Sequence, residues 1–135
     1  MASIRSLGLA LMTLAALSIA ACRFIDPTPP DPDTGLRVVA VAGPVCPVER
    51  VPPDPACAPR AVAGAELVIR DAAGAEVARA RTDARGTAIV PVPAGAYVVE
   101  GQPVVGLMGT PSPVKAIVLD GAVTLVNLAY DTGIR

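Results

Sequence analysis

The chain has 135 residues, with eleven Lys and Arg against twelve Asp and Glu, so its formal net charge is −1. A charge this small offers no electrostatic basis for binding nucleic acid. Histidine is absent, which excludes Ser-His and Cys-His nucleophile pairs and an ordinary zinc site. Two tyrosines, one phenylalanine and no tryptophan leave little for stacking against sugars or bases. Composition therefore argues against an enzyme, a nucleic-acid partner, a metal site and a cofactor.

The N-terminal segment has the layout of an export signal. Arg5 precedes an uncharged apolar run, residues 7–21, which would rise only about 22 Å as a helix, short of the roughly 30 Å hydrocarbon core. The run ends in Ile19-Ala20-Ala21-Cys22, which resembles the lipobox of bacterial lipoproteins. The resemblance implies that residues 1–21 are a signal peptide removed before Cys22, and that lipid on Cys22 anchors the chain to a membrane. An ordinary signal peptide with an incidental cysteine is the alternative.

A proline-rich tether is predicted next, over residues 22–35. Four prolines between Pro27 and Pro32 prevent a helix and lack the N–H that a sheet needs, so the segment should be extended. At about 3 Å per residue it would span roughly 30–40 Å. Arg23, rather than Asp, follows the cysteine, which in enteric-type bacteria resembles an outer-membrane lipoprotein. We therefore expect a location on the exported side of the bacterial envelope, at the outer membrane or cell surface.

The folded part is predicted to begin with a strand over residues 36–42, which is rich in β-branched side chains and stops at Gly43-Pro44. A proline-punctuated loop, residues 44–60, follows and contains Cys46 and Cys57. If Cys22 carries lipid, these two cysteines are an even pair in an oxidising compartment. A disulfide between them would close a twelve-residue loop and stabilise the fold by about 3 kcal/mol. Free thiols are the alternative.

Short strands separated by Gly and Pro turns occupy the rest of the chain, and no segment has a helical period. Pro91 should confine its strand to an edge or a bulge, and the last two strands should form a hairpin around Asp120-Gly121. The fold class expected for residues 36–135 is all-β, a seven-stranded antiparallel β-sandwich. The six further strands are predicted at 65–70, 76–81, 87–92, 96–100, 114–119 and 123–130.

Three stretches share a pattern: the Gly-Ala strand at 62–69, the turn Thr82-Asp83-Ala84-Arg85-Gly86, and the Pro-x-Gly-x-Tyr entry into a strand at 92–99. Together they resemble the carboxypeptidase regulatory-like family, whose domains are prealbumin-like sandwiches. The resemblance implies that Thr82 and Asp83 bond turn backbone, that Gly86 adopts a positive φ, and that Tyr97 fills one end of the sandwich. It also implies an accessory or adhesive module rather than an enzyme.

Two relatives with their own chemistry can be compared residue by residue. Collagen-adhesin B-type domains form a Lys–Asn isopeptide bond beside a buried Glu, but here Lys115 is in a late strand and Glu100 should face away from Tyr97, although Asn127 is in the last strand. The simpler interpretation is that Lys115 is a solvent-exposed strand residue that forms no crosslink. Transthyretin-related hydroxyisourate hydrolases need histidines, which this chain lacks.

The function predicted from the sequence is a non-catalytic, lipid-anchored envelope protein. In the first interpretation, the protein is a binding or accessory module that contacts a protein or a surface polysaccharide through the loops at 44–60 and 101–113. The alternative is a structural or adhesive surface element that associates with other copies. The last six residues, 130–135, should either pack back on the sandwich or bind a partner.

Overall fold

The structure, a computed structural model, describes residues 33–135, so the predicted signal peptide, Cys22 and the predicted tether up to residue 32 lie outside it. All seven predicted strands are present, together with a two-residue strand at the end of the proline-rich loop. Within residues 33–135 no helix is long and apolar enough to cross a membrane. The strands are β1 Gly35–Gly43, β2 Arg60–Ala61, β3 Glu66–Asp71, β4 Glu76–Arg81, β5 Thr87–Pro91, β6 Gly95–Gly101, β7 Val114–Val118 and β8 Val123–Asp131.

The strands form two sheets. In sheet I, β1 is central, and β8 pairs with it along its whole length, from Gly35 opposite Val123 to Gly43 opposite Asp131. The other edge of β1 is shared by β5 and β2, which pair antiparallel with successive parts of the strand. Sheet II has the order β4-β3-β6-β7 and is antiparallel throughout. These two sheets confirm the predicted β-sandwich.

Period-two alternation decides which side chains enter the core. In β1, Leu36, Val38 and Ala40 are buried while Arg37 is exposed, as the pleat of a strand with one covered face requires. In β3, Leu67 and Ile69 lie in the core, which is the face predicted for them. The remaining core side chains are mostly small or β-branched: Ala42, Val62, Ala65, Ala88, Val90, Val92, Tyr97, Val99, Ala116, Val118, Val126, Leu128 and Tyr130.

The turn at residues 82–86 has the local chemistry that its sequence predicts. The Asp83 carboxylate accepts hydrogen bonds from the N–H groups of Thr87 (2.9 Å) and Arg85 (2.8 Å), and these bonds, the first more than the second, lower its pKa. Gly86 has φ +72°, and its N–H donates to the Asp83 carbonyl at 3.0 Å. The Thr82 hydroxyl reaches further, because it accepts from the Ala65 N–H and so holds the turn against the start of β3.

The predicted C-terminal hairpin is wrong. The turn at Asp120-Gly121 forms, with the Ala122 N–H donating to the Leu119 carbonyl at 3.1 Å. The strands on either side of it nevertheless belong to different sheets, since β7 pairs with β6 and β8 pairs with β1. The β1–β8 pairing is also parallel, unlike every other strand pair in residues 33–135. Turn residues specify a local reversal, but only the burial of the two inner faces decides which neighbour a strand pairs with.

Candidate binding surface

The two ends of the sandwich hold different parts of the chain. At one end, which we call the tether end after the tether predicted from the sequence, the chain enters β1, and Thr34 is already buried there. The Gly121 N–H donates to the Thr34 hydroxyl oxygen at 2.8 Å, and the Gly35 N–H donates to the Ala122 carbonyl at 3.1 Å. These bonds fix the point at which the chain enters the sandwich, directly after the predicted tether.

The opposite end, which we call the loop end, gathers the two loops that the sequence selected as candidate binding elements. β1 and β8 are parallel and finish there, so residues 44–60 and 131–135 leave the sandwich side by side. Residues 102–113 join them, because the Met108 N–H donates to the Asp131 carbonyl at 2.8 Å. The sequence indicated these loops individually, but their convergence follows from the parallel pairing that it did not predict.

The first loop is closed by the predicted disulfide. Cys46 and Cys57 are bonded, with their Cα atoms 5.3 Å apart. A short 3₁₀ turn at Pro55–Cys57 begins at Asp54, whose carboxylate accepts the Ala56 N–H at 2.9 Å. A groove of about 500 Å³ lies along this loop, and the Val51 side chain is fully exposed beside it. The disulfide therefore fixes a loop that carries little core of its own.

The last residues of the chain pack on the sandwich, which is the first of the two roles expected for them. Tyr130 is buried, and the Asp131 carboxylate accepts the Gly133 N–H at 2.7 Å and pairs with Arg135 at 2.9 Å. The Arg135 guanidinium first, and the Gly133 N–H second, lower the pKa of Asp131 to about 2. Thr132 and Ile134 line a groove of about 430 Å³ with Ala61 and Leu107. The packed tail is thus one wall of the loop end.

A third groove, of about 630 Å³, lies on the outer face of sheet II. Arg70 and Glu100, on the paired strands β3 and β6, form an ion pair at 3.0 Å on one side of it, and Lys115 and Ile117 form its far side. The outward position of Glu100 is the one predicted from its spacing to Tyr97. Beyond the ion pair, the charged residues that line the groove are Lys115 and Asp71, and the groove is open to solvent.

The residues considered for an isopeptide bond are not brought together. Lys115 is exposed on the outer face of sheet II, whereas Asn127 is exposed on the outer face of sheet I. The apolar core separates these two faces, so the two side chains cannot react within one molecule. Within residues 33–135 no group of three His, Cys, Asp or Glu side chains could hold a metal ion. Cys22, the predicted lipidation site, lies outside the described residues.

The fold defines this domain as a two-sheet β-sandwich of the type found in pilins. It is similar to GBS52, the minor pilin of the Gram-positive pathogen Streptococcus agalactiae, with a TM-score of 0.56, 14% identity, and coverage of 73% of this chain and 44% of that one. It is similar to a variant of the shaft pilin SpaA of Lactobacillus rhamnosus GG, with a TM-score of 0.54, 11% identity, and coverage of 73% and 50%. The Bacillus anthracis TIE protein gives a TM-score of 0.52, 16% identity, and coverage of 71% and 17%.

At these identities the likeness shows the fold alone, and the chain spans half or less of each of these proteins. No protein-family model matches the chain, and a search of curated proteins finds no match. The resemblance to the carboxypeptidase regulatory-like family, although its turn chemistry is present, therefore stays a prediction.

Proposed function

We propose that this chain is a non-catalytic structural module of the bacterial cell envelope, held to a membrane by lipid on Cys22. The observation that carries the proposal is the separation of the two ends of the sandwich. The chain enters at the tether end, where Thr34 is bound to Gly121, whereas both long loops and the last five residues lie at the other end. An anchor at Cys22 therefore leaves the loop end free to contact other macromolecules.

Two further observations support a structural role. The sandwich has the fold of surface pilin domains. Three of its carboxylates have structural contacts, since Asp71 and Asp83 accept backbone N–H groups in turns and Glu100 is paired with Arg70. Every buried side-chain nitrogen or oxygen in residues 33–135 has a hydrogen-bond partner, so this part of the chain holds no unpaired buried group of the kind that acid–base chemistry often uses.

Mass analysis of protein extracted from membranes tests the anchor. We expect a species consisting of residues 22–135 plus acyl chains, which gains about 2 Da on reduction of the Cys46–Cys57 bond. The Cys22→Ser variant is the control, and it should lose both the acyl mass and the membrane association. Recovery of the wild-type chain in the soluble fraction with Cys22 unmodified would refute the anchor.

A second candidate function, binding of a surface polymer, is favoured by the two grooves at the loop end. Co-sedimentation with purified cell-wall sacculi tests it. Val51→Ser and Val105→Ser change fully exposed side chains at the loop end, and Ile89→Ser changes an exposed side chain on the outer face of sheet I. If polymer binding is the function, the first two variants should co-sediment less than wild type while Ile89→Ser should not. Equal co-sedimentation of all three variants and wild type would argue against it.

A further inference from the structure

β8 has one edge that no described residue pairs with. N–H and C=O groups of successive residues in a strand point to opposite edges. The Ala122 carbonyl accepts a hydrogen bond from the Gly35 N–H, and the Thr132 N–H donates to the Gly43 carbonyl. The backbone N–H and C=O groups of the even-numbered residues in this stretch therefore point towards β1. The Asp131 carbonyl points the other way, because it accepts from Met108. The backbone groups of Val123, Leu125, Asn127 and Ala129 therefore point away from β1, and nothing in residues 33–135 bonds to them.

This edge lacks the protection that the other sheet edges have. Edge strands are usually short, charged, or interrupted by proline or a bulge, because an open ladder pairs with other chains. β4 carries Glu76, Arg79 and Arg81, β5 ends at Pro91, and β7 has Lys115 on its outer face. β8 is nine residues long, has an unbroken register, and contains no charged residue or proline from Val123 to Tyr130. Among the strands described here it is the one best suited to accept another strand.

The proline-rich tether is a poor occupant for this edge. Proline has no backbone N–H, and four of the six residues from Pro27 to Pro32 are proline, so these residues cannot supply a ladder of donors. A second copy of β8 supplies both donors and acceptors in the required alternation. An antiparallel arrangement is also self-complementary under two-fold symmetry, which is the usual symmetry of protein dimers.

We propose that two copies of this chain associate through their β8 strands, which pair antiparallel about a two-fold axis at Asn127. Asn127 then lies opposite its own counterpart, and Leu125 lies opposite Ala129 of the second copy. Pairing of residues 125, 127 and 129 forms roughly six hydrogen bonds, two for each hydrogen-bonded pair. No ionised side chains oppose one another in this central part, and sheet I becomes continuous across the dimer.

The arrangement is compatible with two anchored copies. Antiparallel pairing places the tether ends at opposite ends of the dimer, and two tethers of the predicted length, roughly 30–40 Å each if extended, would reach one membrane when the strands lie along its surface. The loop ends remain unpaired. This inference deepens the proposed function by naming the partner of a structural module, but it does not require the lipid, because the same edge is present in a soluble chain.

Cysteine cross-linking of the full-length chain in cell membranes tests the register as well as the contact. Asn127→Cys should give a dimer that reductant reverses, since directly opposed residues in such a pair have Cα atoms about 5.5 Å apart. Leu125→Cys alone should give little dimer, because its counterpart lies about 13 Å along the strand. Co-expression of Leu125→Cys with Ala129→Cys should restore cross-linking. Ile89→Cys, exposed on the same sheet face but in β5, is the matched control and should remain monomeric.

A charge variant provides a test that does not depend on disulfide chemistry. Light scattering of the detergent-extracted protein should give a dimer mass for wild type, which Asn127→Lys loses and which a mixture of Asn127→Lys and Asn127→Asp recovers. The proposal is overturned if Asn127→Cys cross-links no better than Ile89→Cys, or if the charge pair has no effect, in protein that retains its Cys46–Cys57 bond. If these tests were negative while Cys22 carried its normal acyl chains, the lipid anchor would still stand. Failure of the dimer proposal can therefore be told apart from failure of the proposed anchor.

Discussion

Tyr130 donates its phenolic hydrogen to the carbonyl oxygen of Gln102 at 3.0 Å, and this bond joins the last strand of sheet I to the residue that follows β6 in sheet II. The Gln102 N–H also donates to the Glu66 carbonyl at 2.9 Å. Gly101 permits the approach, because a Cβ there would lie 2.6 Å from the Tyr130 oxygen. One peptide segment thus links both sheets at the loop end.

Removing this bond should destabilise the domain without changing its shape. Tyr130→Phe keeps the buried ring but leaves the Gln102 carbonyl without its donor, at a cost of about 1–2 kcal/mol. The measurement is the urea midpoint of unfolding at neutral pH. An unchanged midpoint would mean that the ring alone supplies the contribution of Tyr130.

The same residue should make stability fall at alkaline pH. Burial raises the pKa of Tyr130 above its usual 10, because the folded state disfavours the phenolate. The stabilising contribution is therefore complete below pH 10 and is lost as pH rises through the folded-state pKa. Spectrophotometric titration of Tyr97→Phe, which leaves Tyr130 as the sole tyrosine, should show ionisation above pH 10. The Tyr130→Phe variant should lack this part of the alkaline loss of stability.

Thr82 provides a test of buried hydrogen bonding near the start of β3. Its hydroxyl accepts the Ala65 N–H at 2.9 Å, donates to the Val62 carbonyl at 2.6 Å, and is almost fully buried. Thr82→Val keeps the shape but leaves both groups unpaired, which should cost about 1–3 kcal/mol. Thr82→Ser keeps both bonds and should cost less, about 1 kcal/mol for the lost methyl group. Denaturant unfolding of the two variants would contradict this explanation if Ser proved as costly as Val.

A comparison of Gly86 with Gly74 separates two reasons for glycine in a turn, namely lack of space for a Cβ atom and a positive φ. Both have a positive φ, +72° and +82°. A Cβ at Gly86 would lie 2.5 Å from the Ala40 carbonyl oxygen, whereas a Cβ at Gly74 would meet nothing within 4 Å. Gly74→Ala should therefore cost only the left-handed strain, about 1–2 kcal/mol, and Gly86→Ala should cost more because β1 must also move. Equal thermal melting temperatures for the two variants would show that the contact relaxes freely.

As the pH is lowered, the last residues of the chain should loosen before the sandwich itself unfolds. Arg135 and the Gly133 N–H hold the pKa of Asp131 at about 2, below its ordinary 3.8. The stabilising contribution is present above pH 3.8 and is lost as pH falls through the folded value. Hydrogen exchange of the Gly133 amide should therefore accelerate between about pH 4 and pH 2, relative to the reference rate at each pH. Asp131→Asn should show this acceleration weakly or not at all, and identical profiles for both proteins would rule the carboxylate out as its cause.

Local chemistry made much of this domain predictable from the sequence. Alternation placed Leu67 and Ile69 in the core, and turn residues such as Asp83 and Gly86 bonded as their types require, because these properties depend on neighbours within a few residues. The disulfide could also be predicted, since Cys46 and Cys57 lie close in the chain and the loop between them has no core to oppose their approach.

The partner of each strand was decided only by the tertiary structure. Asp120-Gly121 specified a turn, yet the strands that it connects separate into two sheets, because Val118 and Val126 must cover the same core from opposite sides. The parallel pairing of β8 with β1, 88 residues away at Gly35 and Val123, follows from that division. It brings the candidate loops to one end and leaves the uncharged edge of β8 without a partner among residues 33–135, and neither result can be read from short-range sequence patterns.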